Sequence, residues 1–331
     1  MSKNLYKKPL YEIDEITDIK DLLTYINNKY SWETAFLIKE DGKYVPVSYR
    51  TFCKDVEAFG TALIDLGLSG KRVAVIGENR YEWAVAYMAI VCGVGVVVPL
   101  DRELPKEELN SLIEIAELEG IVYSPKNSAD VEDANIKHKI SMDNMQQMIN
   151  HGKTLIADGN KKFSEHIVNP DAMSILLFTS GTTAASKAVM LSQKNIVTNI
   201  MDTCKMIYVD HRDTCLSVLP LHHTYECTCG FLAPLYRGCT IAYCEGLRHI
   251  AKNLREAKAT FILCVPLLAS NIHKKIWQQA EKSGKDKAMK KMIKTGSALL
   301  SFGVDVRKIL FSKIRENLGG YLRMIICGAA A

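Results

Sequence analysis

The chain of 331 residues lacks any long hydrophobic run: its longest apolar stretch, Val94–Leu100 after Gly93, is far too short to span a bilayer. Its beginning, MSKNLYKKPLYEID, carries no apolar segment behind its lysines, so no secretion signal is expected there. Cysteine is not scarce, but ten in a chain this long are too thinly spread for a disulfide scaffold. Most lie in apolar stretches, as Cys92, Cys264 and Cys327 do, and they are expected to be reduced, buried thiols of a cytoplasmic protein. A strong excess of one charge is missing too. The formal net charge of +5 is too mild to call for nucleic acid as a partner. Internal repeats and low-complexity segments are absent.

What is present is an average globular composition, 48% hydrophobic and 24% charged, in a length that suggests two packed units. The positive charge is concentrated. Between His273 and Lys294 stand Lys274, Lys275, Lys282, Lys285, Lys287, Lys290, Lys291 and Lys294 against Glu281 and Asp286, a local excess of +6. A solvated helical face explains such a run; a patch for peripheral contact with a membrane surface, or with coenzyme phosphates, is the sharper reading.

The first half alternates strand and helix patterns. Tyr44–Tyr49 alternates like a strand, and Thr51–Leu66 has helical spacing closed by Gly67. Arg72–Ile76 reads as a strand, after which Asn79 and Glu82 have the spacing of a helix N-terminal capping box. A helix over Tyr81–Val91, a buried strand at Gly95–Leu100, a helix over Lys106–Glu119 behind Pro105 and a strand at Gly120–Tyr123 follow. After a polar stretch, Ser124 to about Val168, strands are expected at Met173–Phe178, Thr214–Leu219, Thr240–Cys244, Thr260–Val265 and Leu322–Cys327. Helices are expected from about Gln193 and through Gly230–Tyr236. This rhythm specifies an α/β fold of layered, mixed or parallel sheets flanked by helices.

The chemistry is concentrated in Ser174–Met190, SILLFTSGTTAASKAVM. A buried strand delivers Thr179, Ser180, Gly181, Thr182 and Thr183, and Lys187 follows. Hydroxyls, free backbone N–H groups and one ammonium are what a polyphosphate needs, directional donors together with charge. Spacing excludes a Walker A loop, since Ser186 stands where its second glycine belongs and Ala188 follows Lys187. A dinucleotide fingerprint is excluded as well, because Gly93 and Gly95 are followed by Val98. His222, His223, Glu226, Cys227 and Cys229 are potential zinc ligands by type, but their spacing matches no zinc motif, and no metal site is assigned.

TSGTTAASKAVMLSQKN resembles the phosphate loop of adenylate-forming enzymes, T-S-G-T-T-G-x-P-K-G-V, at Thr179, Ser180, Gly181, Thr182, Thr183, Lys187 and Val189. It departs from that pattern at Ala184, Ser186 and Ala188. GENRYEWAVAYMAIVCGVGVVVPLDRELPKEEL is similar to the acyl-CoA synthetase pattern N-R-x-E-W, helix, G-x-V-x-V-P-L and E-E-L. LPLHHTYECTCGFLAPLYRGCT resembles the family's P-L-x-H segment, with His223 and Glu226 as the H-x-x-E of its long-chain fatty acid members. FILCVPLLASNI resembles the V-P segment beside the acyl tunnel, and RMIICGAAA the opening of the adenine-contacting G-G-A-P loop, with Cys327 and Ala331 departing.

This resemblance to AMP-forming acyl-CoA synthetases spans about Tyr44 to the end and implies two stacked subdomains, about 28–165 and 166–331. It implies an N-terminal adenylation domain that is incomplete, with the family's C-terminal domain absent, and hence a chain that folds but does not catalyse alone. The implied reaction activates a carboxylic acid, of long-chain fatty type, with ATP and Mg2+ and passes the acyl group to coenzyme A. By the same resemblance Thr179, Ser180, Gly181, Thr182, Thr183 and Lys187 cradle the phosphates, Thr182 and Lys187 serving the chemistry. Gly328, Ala329 and Ala330 touch the nucleotide, and His223, Thr224, Glu226, Val265 and Pro266 line the acid's site. Two readings stand beside it: a nucleotide-binding module without catalysis, and an adenylate-forming enzyme that hands its acyl group to a carrier protein.

Overall fold

The computed structural model describes residues 10–179 and 187–329. Helix α1 (Ile19–Tyr30) is capped by the Asp18 carboxylate and buries Ile19, Leu22, Leu23 and Ile26, the i, i+3, i+4, i+7 stripe. The hairpin of β1 (Thr34–Glu40) and β2 (Lys43–Ser48) turns through Asp41 and Gly42, both at positive φ. Ser48 caps α2 (Tyr49–Asp65) by accepting the Thr51 N–H, and Gly67 at φ +91° redirects the chain after it.

Strands then alternate with helices. β3 (Arg72–Ile76), α3 (Tyr81–Ala89), β4 (Val96–Leu100), α4 (Lys106–Ile115), β5 (Gly120–Tyr123), α5 (Ser128–Glu132) and β6 (His138–Ser141) follow in order. Next come α6 (Met145–Ala157), β7 (Met173–Thr179), β8 (Lys187–Ser192), α7 (Gln193–Met206), β9 (Thr214–Ser217), α8 (Ala233–Tyr236) and β10 (Thr240–Tyr243). The chain continues through α9 (Ile250–Glu256), β11 (Phe261–Cys264), α10 (Pro266–Lys282), α11 (Asp286–Ser301), α12 (Arg307–Leu310), α13 (Ser312–Asn317) and β12 (Met324–Cys327). π-helical turns cover Ile90–Val94 and Glu226–Leu232. No helix among the described residues is long and apolar enough to cross a membrane.

The chain forms two compact units, Met1–Arg212 with Pro220–Ile241, and Asp213–Leu219 with Ala242–Ala331. In the first, one sheet has the order β6-β5-β3-β4-β7-β8, parallel except for β8. Ala74, Ile76, Val98, Leu100, Leu112 and Ile121 belong to the apolar cluster packed on its strands. In the second unit β11 runs parallel to both β9 and β12. Buried Asp213 ties these strands together, accepting from the Thr260 hydroxyl at 2.7 Å and from Arg323 Nη2 at 2.6 Å.

Several expectations need correction. The compact units divide at Asp213 instead of near residue 165, because β7 joins the first sheet beside β4. Lys187 stands at the start of a strand, β8, where a loop leading directly into α7 was expected. The Asn79 capping box does not form: Arg80 occupies the N-cap of α3 and makes no side-chain cap bond. The helix over Lys106–Glu119 ends early, at Ile115, and Glu117 takes a positive φ of 50°. Of the three cysteines expected to be buried, Cys92 and Cys264 are and Cys327 is exposed, since alternate residues of β12 face outward. The lysine-rich segment lies on α10 and α11, and no residue of α10 is buried.

Candidate functional site

Because β3, β4, β5 and β7 run parallel, their carboxyl ends share one edge of the sheet. From β3 the chain crosses to β4 on one side, then to β5 on the other, so the winding reverses between β3 and β4. Open α/β sheets hold ligands in the crevice outside such a reversal. Asn79 follows β3 there, Asp101 follows β4, Ser124 follows β5, and Thr179 ends β7. Strand β8 runs the opposite way, so Lys187, its first residue, begins at the same edge and is the cross-strand partner of Thr179. Both residues are exposed. The hairpin thus brings a hydroxyl and an ammonium together at the carboxyl edge. Ser180, Gly181, Thr182 and Thr183 lie outside the described residues, as does Ala330.

The segment from Pro220 is tethered to this edge. The Leu221 N–H donates to Asn79 Oδ1 at 3.0 Å, so Asn79 holds this segment instead of capping α3. Arg80 beside it pairs with Glu82 at 2.6 Å and with Asp143 at 3.2 Å. His222 Nε2 lies 3.6 Å from Asp101 Oδ2, beyond hydrogen-bond length, and is buried with no hydrogen-bond partner among the described residues. Burial, and then the neighbouring His223, push the His222 imidazole down to about 4 against the pull of Asp101. At neutral pH His222 is therefore uncharged and offers one donor and one acceptor.

The His223 ring lies 4.1 Å from that of His222, centroid to centroid, and is exposed, as is Thr224. Glu226, one turn later, is wholly buried. A Cβ on Gly230 would stand 2.6 Å from the Glu226 carboxyl carbon, so the carboxylate occupies the space that the glycine leaves open. His223 and Glu226 thus stand three residues apart, the first exposed and the second buried. Sequence reasoning had weighed His222 only as a metal ligand, had passed over Asp101 and had given Asn79 a different task. The doubled histidine, and an asparagine placed directly beyond a buried strand, were the available signals.

In the second unit, Val265 and Pro266 are half-buried at the junction of β11 and α10. The Gly328 N–H donates to the Cys264 carbonyl at 3.2 Å. Ala329 then adopts φ +61°, a left-handed conformation that costs an alanine about 1–2 kcal/mol. Among the described residues no group of three or more His, Cys, Asp or Glu side chains is placed to hold a metal ion.

Residues 26–331 match the family of AMP-binding enzymes. The chain is 27% identical to long-chain-fatty-acid–CoA ligase 1 of Cavia porcellus, over 88% of its own length and 46% of that protein. It is 26% identical to fatty acyl-CoA synthetase B of Dictyostelium discoideum, over 96% of its own length and 53% of that protein. The chain therefore spans about half the length of these relatives. Its fold is similar to that of the inhibitor-bound N-terminal domain of FACL13 from Mycobacterium tuberculosis, with a TM-score of 0.68, 17% identity and coverage of 76% of this chain and 64% of that one. It is likewise similar to VinN in complex with L-aspartate, with a TM-score of 0.72, 20% identity and coverage of 95% and 69%. A match that runs over nearly the whole chain, on a fold shared with these structures, places the chain in the AMP-binding enzyme family.

Proposed function

We propose that the intact protein is an AMP-forming ligase that activates long-chain fatty acids and transfers them to coenzyme A. The observation that carries this reading is the pairing of Thr179 with Lys187 at the carboxyl edge of a parallel sheet, in a chain whose relatives are named as such ligases. The fatty carboxylate attacks the α-phosphorus of ATP, forming acyl-AMP and releasing pyrophosphate. The coenzyme A thiolate then attacks the acyl carbonyl and AMP leaves.

Both reactants of the first step are anions, so the protein's task is to neutralise charge and hold position. The Lys187 ammonium and the Thr179 hydroxyl take the β- and γ-phosphates, with Ser180, Gly181, Thr182 and Thr183 supplying further donors. Exposed His223 and Thr224 meet the acid, while buried Glu226 fixes the turn that presents them. Val265, Pro266, Gly328, Ala329 and Ala330 keep the acyl and adenine contacts that the family resemblance implies. Magnesium enters with the nucleotide's phosphates, its usual mode of binding.

The test is AMP release by the intact protein with short, medium and long acids, with and without coenzyme A. Long acids should give AMP and thioester together; AMP release independent of coenzyme A would reject the acceptor, and none with any acid would reject the ligase. Lys187→Ala should weaken ATP use about ten- to a hundredfold, the loss of one charge-assisted hydrogen bond, and leave the melting temperature unchanged. Unaltered kinetics in that variant would mean that the hairpin does not hold phosphate.

A further inference from the structure

Cys264 and Cys327 occupy the last positions of neighbouring parallel strands, β11 and β12, and are paired in register. In-register residues of adjacent strands point to the same face of a sheet, with their Cα atoms about 4.8 Å apart. A disulfide accepts Cα separations of about 4.4–6.8 Å, so this pair needs no backbone movement to be bridged. The Cys327 thiol lies near enough to act on that of Cys264, and both cysteines are free. Of the ten cysteines Cys327 alone is exposed, whereas Cys264 is wholly buried. One sulfur is therefore open to a reagent in solution and the other waits directly behind it.

We propose that Cys264 and Cys327 form a dithiol site that is oxidised reversibly to a cross-strand disulfide by hydroperoxides. The exposed Cys327 thiolate attacks one oxygen of hydrogen peroxide and the O–O bond breaks; hydroxide leaves and takes up a proton as water. Cys327 is then a sulfenic acid. The Cys264 sulfur attacks the Cys327 sulfur, the S–O bond breaks, and a second water leaves with the Cys264 proton. Two thiols are oxidised by two electrons and one peroxide is reduced to two waters. Burial pushes the Cys264 thiol up to about 11, with the neighbouring Cys327 adding to it, which makes it a poor first attacker. As the resolving partner it is already in contact and needs no encounter. The bridge would clamp the strand ends that lead into Val265 on one side and Gly328 on the other. The oxidation itself is independent of any nucleotide or ligase activity.

Mild hydrogen peroxide applied to the folded chain, followed by alkylation of free thiols and digestion with trypsin without reductant, tests this. The expected product joins the peptides 259–274 and 324–331, two of the ten thiols are lost, and dithiothreitol restores them. Cys327→Ser, a change at an exposed position, should abolish both the linked peptide and the loss of thiols. Phenylarsine oxide, which needs two adjacent thiols, should shield both cysteines from alkylation in the unsubstituted chain and not protect Cys264 in Cys327→Ser. Overoxidation of Cys327 to sulfinic acid without a linked peptide, a disulfide between two chains, or an unchanged loss of two thiols in Cys327→Ser would each overturn the proposal.

Discussion

At His222 two environments oppose each other. Apolar burial and the adjacent His223 disfavour the imidazolium, while the carboxylate of Asp101 favours it from 3.6 Å, and burial prevails. The folded-state value of about 4 lies below the ordinary 6.5, so between those pH values the unfolded chain binds more protons than the folded one. Stability from this group is therefore intact above pH 6.5 and is lost as pH falls towards 4, by about 3 kcal/mol at most. The ring protons of His222 should titrate with a midpoint near 4 by NMR, and denaturant midpoints should fall across the same window. A midpoint above 6 would show that water reaches Nε2 and would remove the burial argument.

Among the elements, α2 and α6 pack more closely than ordinary helices do, and Gly152 is the reason. A Cβ there would stand 1.9 Å from the Ala58 carbonyl oxygen, a backbone atom of α2 that cannot turn aside. Gly152→Ala should force the two helices apart and cost about 3 kcal/mol or more, as overpacking does. A urea titration with an unchanged slope and a lower midpoint is the expected record.

Elements of this kind also show what the sequence makes legible. Strands β3 and β5 coincide with their expected bounds because each is a β-branched run closed by a change of residue type that any reading notices. Helix α1 went unassigned although Ile19, Leu22, Leu23 and Ile26 carry its period, since it stands ahead of the strand–helix alternation. Strand β8 could not be read from pattern, because its exposed Lys187, Ala188, Val189 and Met190 do not alternate. Nor could Asn79, whose spacing to Glu82 satisfies a capping box, while its actual partner is the Leu221 N–H in a remote segment. Of the expected phosphate loop, the structure describes Thr179 and Lys187, and their pairing across β7 and β8 was not legible in residue type and order. The hold of Asn79 on the Pro220 segment is a tertiary tether that local pattern does not contain.

On the scale of the whole molecule, burial is unevenly shared. The first unit encloses Trp83, Tyr87, Phe52, Phe59 and Phe231 almost completely. In the second, α10, α12 and α13 bury no residue, and Phe302 and Ile309 are 83% and 77% exposed. Local opening follows burial, so amides of α10–α13 should exchange with deuterium at least ~10 times faster than those of β3 and β4. Equal protection in both regions would contradict it.

Strand β8 closes one end of the first sheet, and among the described residues no further strand lies beyond it. Its outer margin presents backbone donors and acceptors together with Val189 and Met190, the latter 70% exposed. A bare edge of this kind is a template on which a second chain can add a strand, and charged side chains are the usual protection against such growth. Here the only charge on the strand is that of Lys187, the residue proposed to hold phosphate. The same ammonium would then both hold the nucleotide and keep neighbouring molecules apart, and a polyphosphate that neutralises it would bring the chain closer to edge-to-edge aggregation.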